Sequence, residues 1–231
     1  MDEDRLTTDL WMASPSPRGA LRVEVRQGDK VGGWSGERAE VANMLDGSGA
    51  PIQEVPGDAV RYYAFGMRPD VGWRPPILDE NGYVWGIMLQ LHGPDDLGVP
   101  PAFALYAEDH FGVALNGGNI DVERNVVRHR LPARLIPGQW TLFIIAVRWA
   151  NDNRGFVTVW QSDSASRDFA ELLNVRDIAT LQYSGDEPVR PHYWKFGYYR
   201  SGSPFVSRLW LTPLVRAHSF EEARTSAFQT D

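Results

Sequence analysis

Tyr193-Trp194-Lys195-Phe196-Gly197-Tyr198-Tyr199-Arg200 decides how this chain is read. Its aromatic content favours a pleated, half-buried strand. Because side chains alternate along a strand, Trp194, Phe196 and Tyr198 point to one face, and Tyr193, Lys195 and Tyr199 to the other. The first set is apolar core; the second is a row of proton donors with a cation in its middle. Gly197 leaves a gap in that row where a backbone or ligand can come close. The cation is unusual, since Lys30 and Lys195 are the only lysines beside 21 arginines (23 Lys plus Arg in all). A lysine is a compact point charge whose protonation the surroundings can tune, whereas arginine is a fixed fork. A groove for an anionic ligand is the simplest inference.

Two other stretches share this two-faced pattern. In Glu37-Arg38-Ala39-Glu40-Val41, Arg38 and Glu40 share one face, and Ala39 and Val41 the other. Residues 83–92 form an apolar strand that turns polar only at Gln90 and His92, two positions apart and so on one side. Three such strands side by side would line the floor of a groove on the outside of a sheet. The plain alternatives are a structural His92 before Gly93-Pro94, an Arg38–Glu40 pair, and a buried, hydrogen-bonded Tyr199. His110, His129, His192 and His218 receive no role.

Elsewhere the chain is β-rich. Leu21, Val23 and Val25 alternate with Arg22, Glu24 and Arg26, which is a strand. Further strands are predicted at 60–67, 102–107, 111–115, 141–149 and 155–160, with 206–211 as the last; turn residues separate them. Residues 166–173 read as a short helix or a loop. Ser219, three residues before Glu222, has the capping-box spacing and predicts a short C-terminal helix. Many closely spaced strands with almost no helical periodicity mean an antiparallel sandwich or barrel. Residues 1–18, ending in Ser14-Pro15-Ser16-Pro17, read as an N-terminal extension or linker, and 19–231 as one domain.

The 231 residues, 43% hydrophobic, are enough for a sizeable core. There is no cysteine, hence no disulfide, thiolate metal site or cysteine nucleophile. The net charge of −7 argues against nucleic acid as a partner, so an anionic ligand requires a local basic patch. No membrane span is encoded, and the first residues lack the basic start and apolar run of a signal peptide.

In order and separation, Glu37-Arg38-Ala39-Glu40-Val41, Leu89-Gln90-Leu91-His92 and Tyr193 to Tyr199 resemble the three signature strands of β-jelly-roll polysaccharide lyases. The heparinase I-like lyases look closest, with alginate and glucuronan lyases more distant. Arg22 to Asp29 resembles an earlier strand of that group, and the likeness runs over roughly residues 18–215. It implies an all-β, concanavalin A-like jelly-roll sandwich of two curved antiparallel sheets. It also implies β-elimination on a uronate-containing anionic polysaccharide. Gln90 and Arg38 would neutralise the uronate carboxylate. His92 would be the base or a carboxylate partner, Tyr199 the acid or both acid and base, and Lys195 would set its charge beside the phenol. Arg22, Arg26, Trp34, Glu40, Tyr193 and Arg200 are the expected substrate-binding residues. No cofactor is required; the resemblance to heparinase-like lyases leaves calcium possible, but no calcium-loop spacing indicates it. Extracellular or virion-associated action is expected, with possible attachment to a larger assembly through the N-terminus. The rival reading is a non-catalytic glycan-binding module on the same fold, as part of a bacteriophage tail or an adhesin. A laminarinase-type glycosidase would need paired carboxylates, and its Glu-x-Asp-x-x-Glu strand is missing.

Overall fold

The computed structural model describes residues 6–9, 14–31, 36–78, 82–94, 97–122, 127–163, 166–185 and 187–228. Two eight-stranded sheets face each other. The first runs in the order β1 (Leu6–Asp9), β2 (Ala20–Val25), β17 (Ser207–Leu211), β6 (Val60–Pro69), β12 (Thr141–Arg148), β13 (Gly155–Asp163) and β14 (Ala170–Ile178). A short β18 (Val215–Ala217) also pairs with β6. The second runs in the order β11 (Val127–Arg134), β9 (His110–Leu115), β8 (Phe103–Ala107), β7 (Gly86–His92), β16 (His192–Arg200), β5 (Pro51–Glu54) and β4 (Met44–Leu45). There β3 (Glu37–Ala42) pairs with β16. A parallel pair, β10 (Gly118–Asn119) with β15 (Gln182–Tyr183), stands apart. All pairings within the two sheets are antiparallel, which matches the expected jelly-roll sandwich.

The main core lies between the sheets. Val23, Phe65, Phe143, Ile145, Val157 and Leu209 come from the first, and Leu89, Leu91, Phe103, Phe111, Trp194, Phe196 and Tyr198 from the second. Trp194 packs on Tyr63 with ring centroids 4.7 Å apart, and Phe196 meets Phe65 edge-on at 5.2 Å. Such tilted pairs are favoured by the ring quadrupole. The central strand β12 shows no alternation because both its faces are covered. Phe143, Ile145 and Val147 enter the main core. Leu142 and Ile144 lie under the helix α1 (Phe220–Ala227), which docks through Ala223 and Ala227. The helix starts as the spacing predicts: Glu222 N–H donates to Ser219 Oγ (3.1 Å), and the Glu222 carboxylate accepts from His218 N–H (2.9 Å).

Several details differ from the sequence reading. Residues 170–178, within and beyond the stretch read as a helix or loop, form the edge strand β14; its pairing shifts register twice against β13, which blurs the alternation. The strand expected from 83 starts at Gly86. Strands β5, β11 and β18 had no clear signal, being short or largely exposed. Leu6–Asp9, inside the stretch read as an extension, pairs with β2 and lengthens the first sheet. Val41, assigned to the core face of β3, is 42% exposed near the open edge of the sandwich.

Candidate active site

The site lies on the outer face of the second sheet, where β3, β16 and β7 are adjacent. Register sets Tyr199 opposite Arg38 on one side and Ile87 on the other, with Lys195 opposite Gln90 and Tyr193 opposite His92. Arg38, Gln90, His92, Lys195 and Tyr199 together line a cavity of about 440 Å³. Its remaining walls are Trp85, Ile87, Tyr106 and the segment from Gly98 to Pro101. That segment is held at the Pro100 carbonyl, which accepts from Gln182 Nε2 (2.7 Å) and Asn116 Nδ2 (3.0 Å).

A bulge on β16 makes this arrangement possible. Between Phe196 and Tyr199 the register shifts against β7, as bulges do when they re-aim a side chain. Gly197 carries it at φ +152°, and a Cβ there would lie 2.6 Å from Glu40 Cα and closer still to the Ala39 carbonyl oxygen. The gap foreseen in the polar row is therefore filled by the backbone of β3. It also leaves a lane above Gly197, because Glu40 sits opposite this glycine yet makes its hydrogen bond with Gln90 on β7, one strand further on.

The polar groups form one network. Gln90 Nε2 donates to Glu40 Oε1 at 2.6 Å, and Arg38 pairs with Glu40 at 3.6 Å. The Arg38 guanidinium lies over the Tyr199 ring, 3.6 Å from its centroid, and Trp85 meets the same ring edge-on at 4.2 Å. The phenol is thus clamped by a cation and an indole. Burial pushes the Glu40 carboxyl up, against the lowering effects of the Gln90 amide and the Arg38 and Lys195 charges. His92 Nδ1 lies 2.7 Å from the Gly93 carbonyl. A carbonyl only accepts, so Nδ1 carries a proton, and in the neutral form of the ring the lone pair is then on Nε2, the atom a base would use.

Of the other expected binding residues, Glu40 is in the network. Tyr193 stands beside it, stacked obliquely on His92 (5.8 Å) and under Lys195 (5.2 Å). Trp34 lies outside the described residues. Arg22, Arg26 and Arg200 are not at the cavity. Arg22 and Arg26 flank Glu24 on the outer face of the first sheet and pair with it, Arg26 at 2.5 Å, as does Arg208 at 2.7 Å. Burial works to raise Glu24, but the Arg208 and Arg26 donors bring it down to about 2. Arg200 is fully buried on the core side of β16, where its guanidinium donates to Glu37 (2.9 Å) and Ser207 (2.6 Å). The alternation that placed Trp194, Phe196 and Tyr198 inward applies equally to position 200. Of the cations expected at the site, Arg38 and Lys195 line the cavity, and Arg22, Arg26 and Arg200 do not.

Trp85 and Tyr106 were missed. Tyr106 follows Ala104 at a spacing of two, the signal for a shared face, while Trp85, inside the strand read over 83–92, fell by alternation on the face opposite Gln90 and His92; the pairing of β7 with β8 shifts register between Ile87 and Leu89. Among the described residues, Glu108, Asp109 and His110 form the cluster close enough to hold a metal ion. Glu108 is engaged by Arg128, and none of the three lines the cavity.

Comparison with known proteins agrees with this fold. The fold resembles a glucuronan lyase from the fungus Trichoderma reesei (TM-score 0.66, 16% identity, covering 93% of this chain and 86% of that one). It also resembles alginate lyases from Klebsiella pneumoniae (TM-score 0.59, 16% identity, 89% and 84% covered) and Pseudomonas aeruginosa (TM-score 0.56, 16% identity, 95% and 88% covered). At such identities the likeness is one of fold. No curated protein matches the sequence. The profile of the polysaccharide lyase family, however, matches residues 12–212, nearly the whole sandwich, and the chain belongs to that family.

Proposed function

We propose that the cavity cleaves an anionic polysaccharide by β-elimination at a uronate residue. The C5 proton is removed, its electron pair becomes the C4–C5 double bond, the C4–O bond breaks, and the departing oxygen takes a proton. The C5 proton is weakly acidic while the neighbouring carboxylate is charged, so that charge must be offset first. Gln90 and Arg38 are the donors for this, each preorganised donor being worth about 3 kcal/mol in the transition state. His92 serves as base or carboxylate partner, and Tyr199 as the acid, or as acid and base in turn. Lys195 completes the positive field. These side chains need no metal for the proton transfers described.

The observation supporting this reading is that an amide, two cations, an imidazole and a phenol, drawn from three adjacent strands, line one cavity. Formally, Arg38 and Lys195 against Glu40 leave one net positive charge, the complement of one uronate carboxylate. Glucuronan and alginate, named for the structural neighbours, are the first substrates to try. Heparin follows from the heparinase I-like resemblance. Polymers of this kind are met outside cells, so the reading carries an extracellular site of action.

The test is the ultraviolet absorbance of the unsaturated uronate, which elimination produces and hydrolysis does not. At least one of glucuronan, alginate, heparin or a bacterial capsule should give it. Tyr199→Phe should lower turnover about 10²- to 10⁴-fold while oligosaccharide binding stays near wild type. Absence of the chromophore across the panel, with binding retained, would overturn the catalytic reading and leave a glycan-binding module.

A further inference from the structure

We infer that Glu40 is a positioning residue that fixes the Gln90 amide and the Arg38 guanidinium for the substrate carboxylate, rather than a group that itself binds the glycan. The inference deepens the elimination reading and rests on it.

Its side chain is 5% exposed and already committed on both oxygens, Oε1 to Gln90 at 2.6 Å and Oε2 to Arg38 at 3.6 Å. An amide has a donor end and an acceptor end of nearly the same shape. An ionised carboxylate only accepts, so it selects the orientation in which the NH₂ of Gln90 faces it. The second N–H on the same nitrogen is then left to meet an anionic substrate. Flipped, the amide would turn its oxygen toward that carboxylate and repel it. The same carboxylate pairs with the guanidinium that covers the Tyr199 ring, so one acid holds the two groups that offset the uronate charge. The close approach of β3 at Gly197 permits this, because a Cβ at 197 would fall on the Ala39 carbonyl oxygen and the Glu40 Cα and shift the backbone that carries Glu40.

Glu40→Gln keeps the size but removes the selectivity, since its own amide can face Gln90 with either end. Its effect should depend on whether the substrate carries a charge to be offset. We would measure kcat and KM for wild type and Glu40→Gln on a polyuronate and on its methyl ester, with melting curves as a check on folding. On the free acid, kcat should fall about 10- to 100-fold with KM changed much less, up to one donor's worth of transition-state stabilisation. On the ester, whose carboxyl is neutral, the two proteins should differ by less than about 3-fold. Glu40→Asp, which keeps the charge but withdraws it, should lie between them, and it carries the same acid-to-ester comparison if Glu40→Gln does not fold. Equal losses on acid and ester would mean a merely structural role, and a large KM effect with kcat unchanged would mean direct glycan binding; either overturns the inference. If wild type makes no unsaturated product at all, it is the elimination reading that fails.

Discussion

Arg200 offers a sharp test of the fold, because among the described residues one carboxylate is the sole anionic partner of this fully buried guanidinium. Glu37, itself 2% exposed, accepts from Arg200 (2.9 Å), from Ser203 N–H (3.2 Å) and from Gly28 N–H (2.7 Å). Burial already pushes the Arg200 guanidinium down, partly offset by the Glu37 charge. Glu37→Ala leaves this cation in the interior without its counter-charge, a change that typically costs about 3–5 kcal/mol. Gly28 is exposed and can turn to water, whereas Ser203 is buried and cannot do so readily. We therefore expect a loss of about 4 kcal/mol, which for a chain of this size lowers the melting temperature by about 10 °C. Urea unfolding of Glu37→Ala, Glu37→Met, Arg200→Met and the Glu37→Met/Arg200→Met double variant measures it. The double variant, with no charge left to bury, should recover at least half of the loss. Additive effects in this cycle, or a Glu37→Ala midpoint equal to wild type, would refute the assignment of Arg200 to the core.

Two further predictions follow from buried groups near the site. Gly197→Ala should destabilise the protein by about 2 kcal/mol or more and lower turnover at temperatures where it is still folded, since the atoms its Cβ meets first are β3 backbone, and Ala39 and Glu40 must shift to admit it. Urea unfolding and initial rates check this, and a silent substitution would show that the bulge does not hold the site. Below neutrality, the buried His192 should weaken the fold. Burial, with a smaller contribution from His92, lowers its imidazole to about 4, although the Arg190 carbonyl works to raise it. The unfolded chain then binds the extra proton between about pH 6.5 and 4, so this stability is present above pH 6.5 and is lost as pH falls. The loss at pH 5 is about 2 kcal/mol, and His192→Gln should show a correspondingly smaller fall in unfolding free energy between pH 7.5 and 5.

How much of this was legible in the sequence depended on whether a residue's role followed from strand alternation. The polar faces of β3, β7 and β16 could be read directly, because each strand buries one face and a period of two sorts its side chains. Their adjacency could not be read, since β3, β7 and β16 are far apart in the chain and only long-range pairing joins them. Arg200 was misplaced by its charge: alternation put it inside, but a buried arginine is credible only when its partner Glu37 is known, and that residue is 163 positions away. Arg22 and Arg26 failed for a related reason. A strand with basic residues on its outward face looks the same in either sheet, and nothing local says which sheet it joins.

The placement of the site on the second sheet has a physical basis in how the two outer faces are used. On the first sheet, α1 covers the centre, and the flanking arginines converge on Glu24, so their charge is spent internally. On the second, the patch formed by Ile87, Ala104 and Ala114, bordered by Trp85, Tyr106 and Tyr199, adjoins the Arg38–Glu40–Gln90–Lys195 group and, among the described residues, lies under no helix. An apolar wall lowers the local dielectric and strengthens the charges beside it, which suits a site that must hold one carboxylate and move one proton. The bulge at Gly197 ties these features together. It brings β3 against β16, directs Tyr199 outward beside Arg38, and opens the lane from Glu40 to Gln90. One glycine thus links strand pairing to the electrostatics of the cavity, and no side chain larger than hydrogen at that position could keep both.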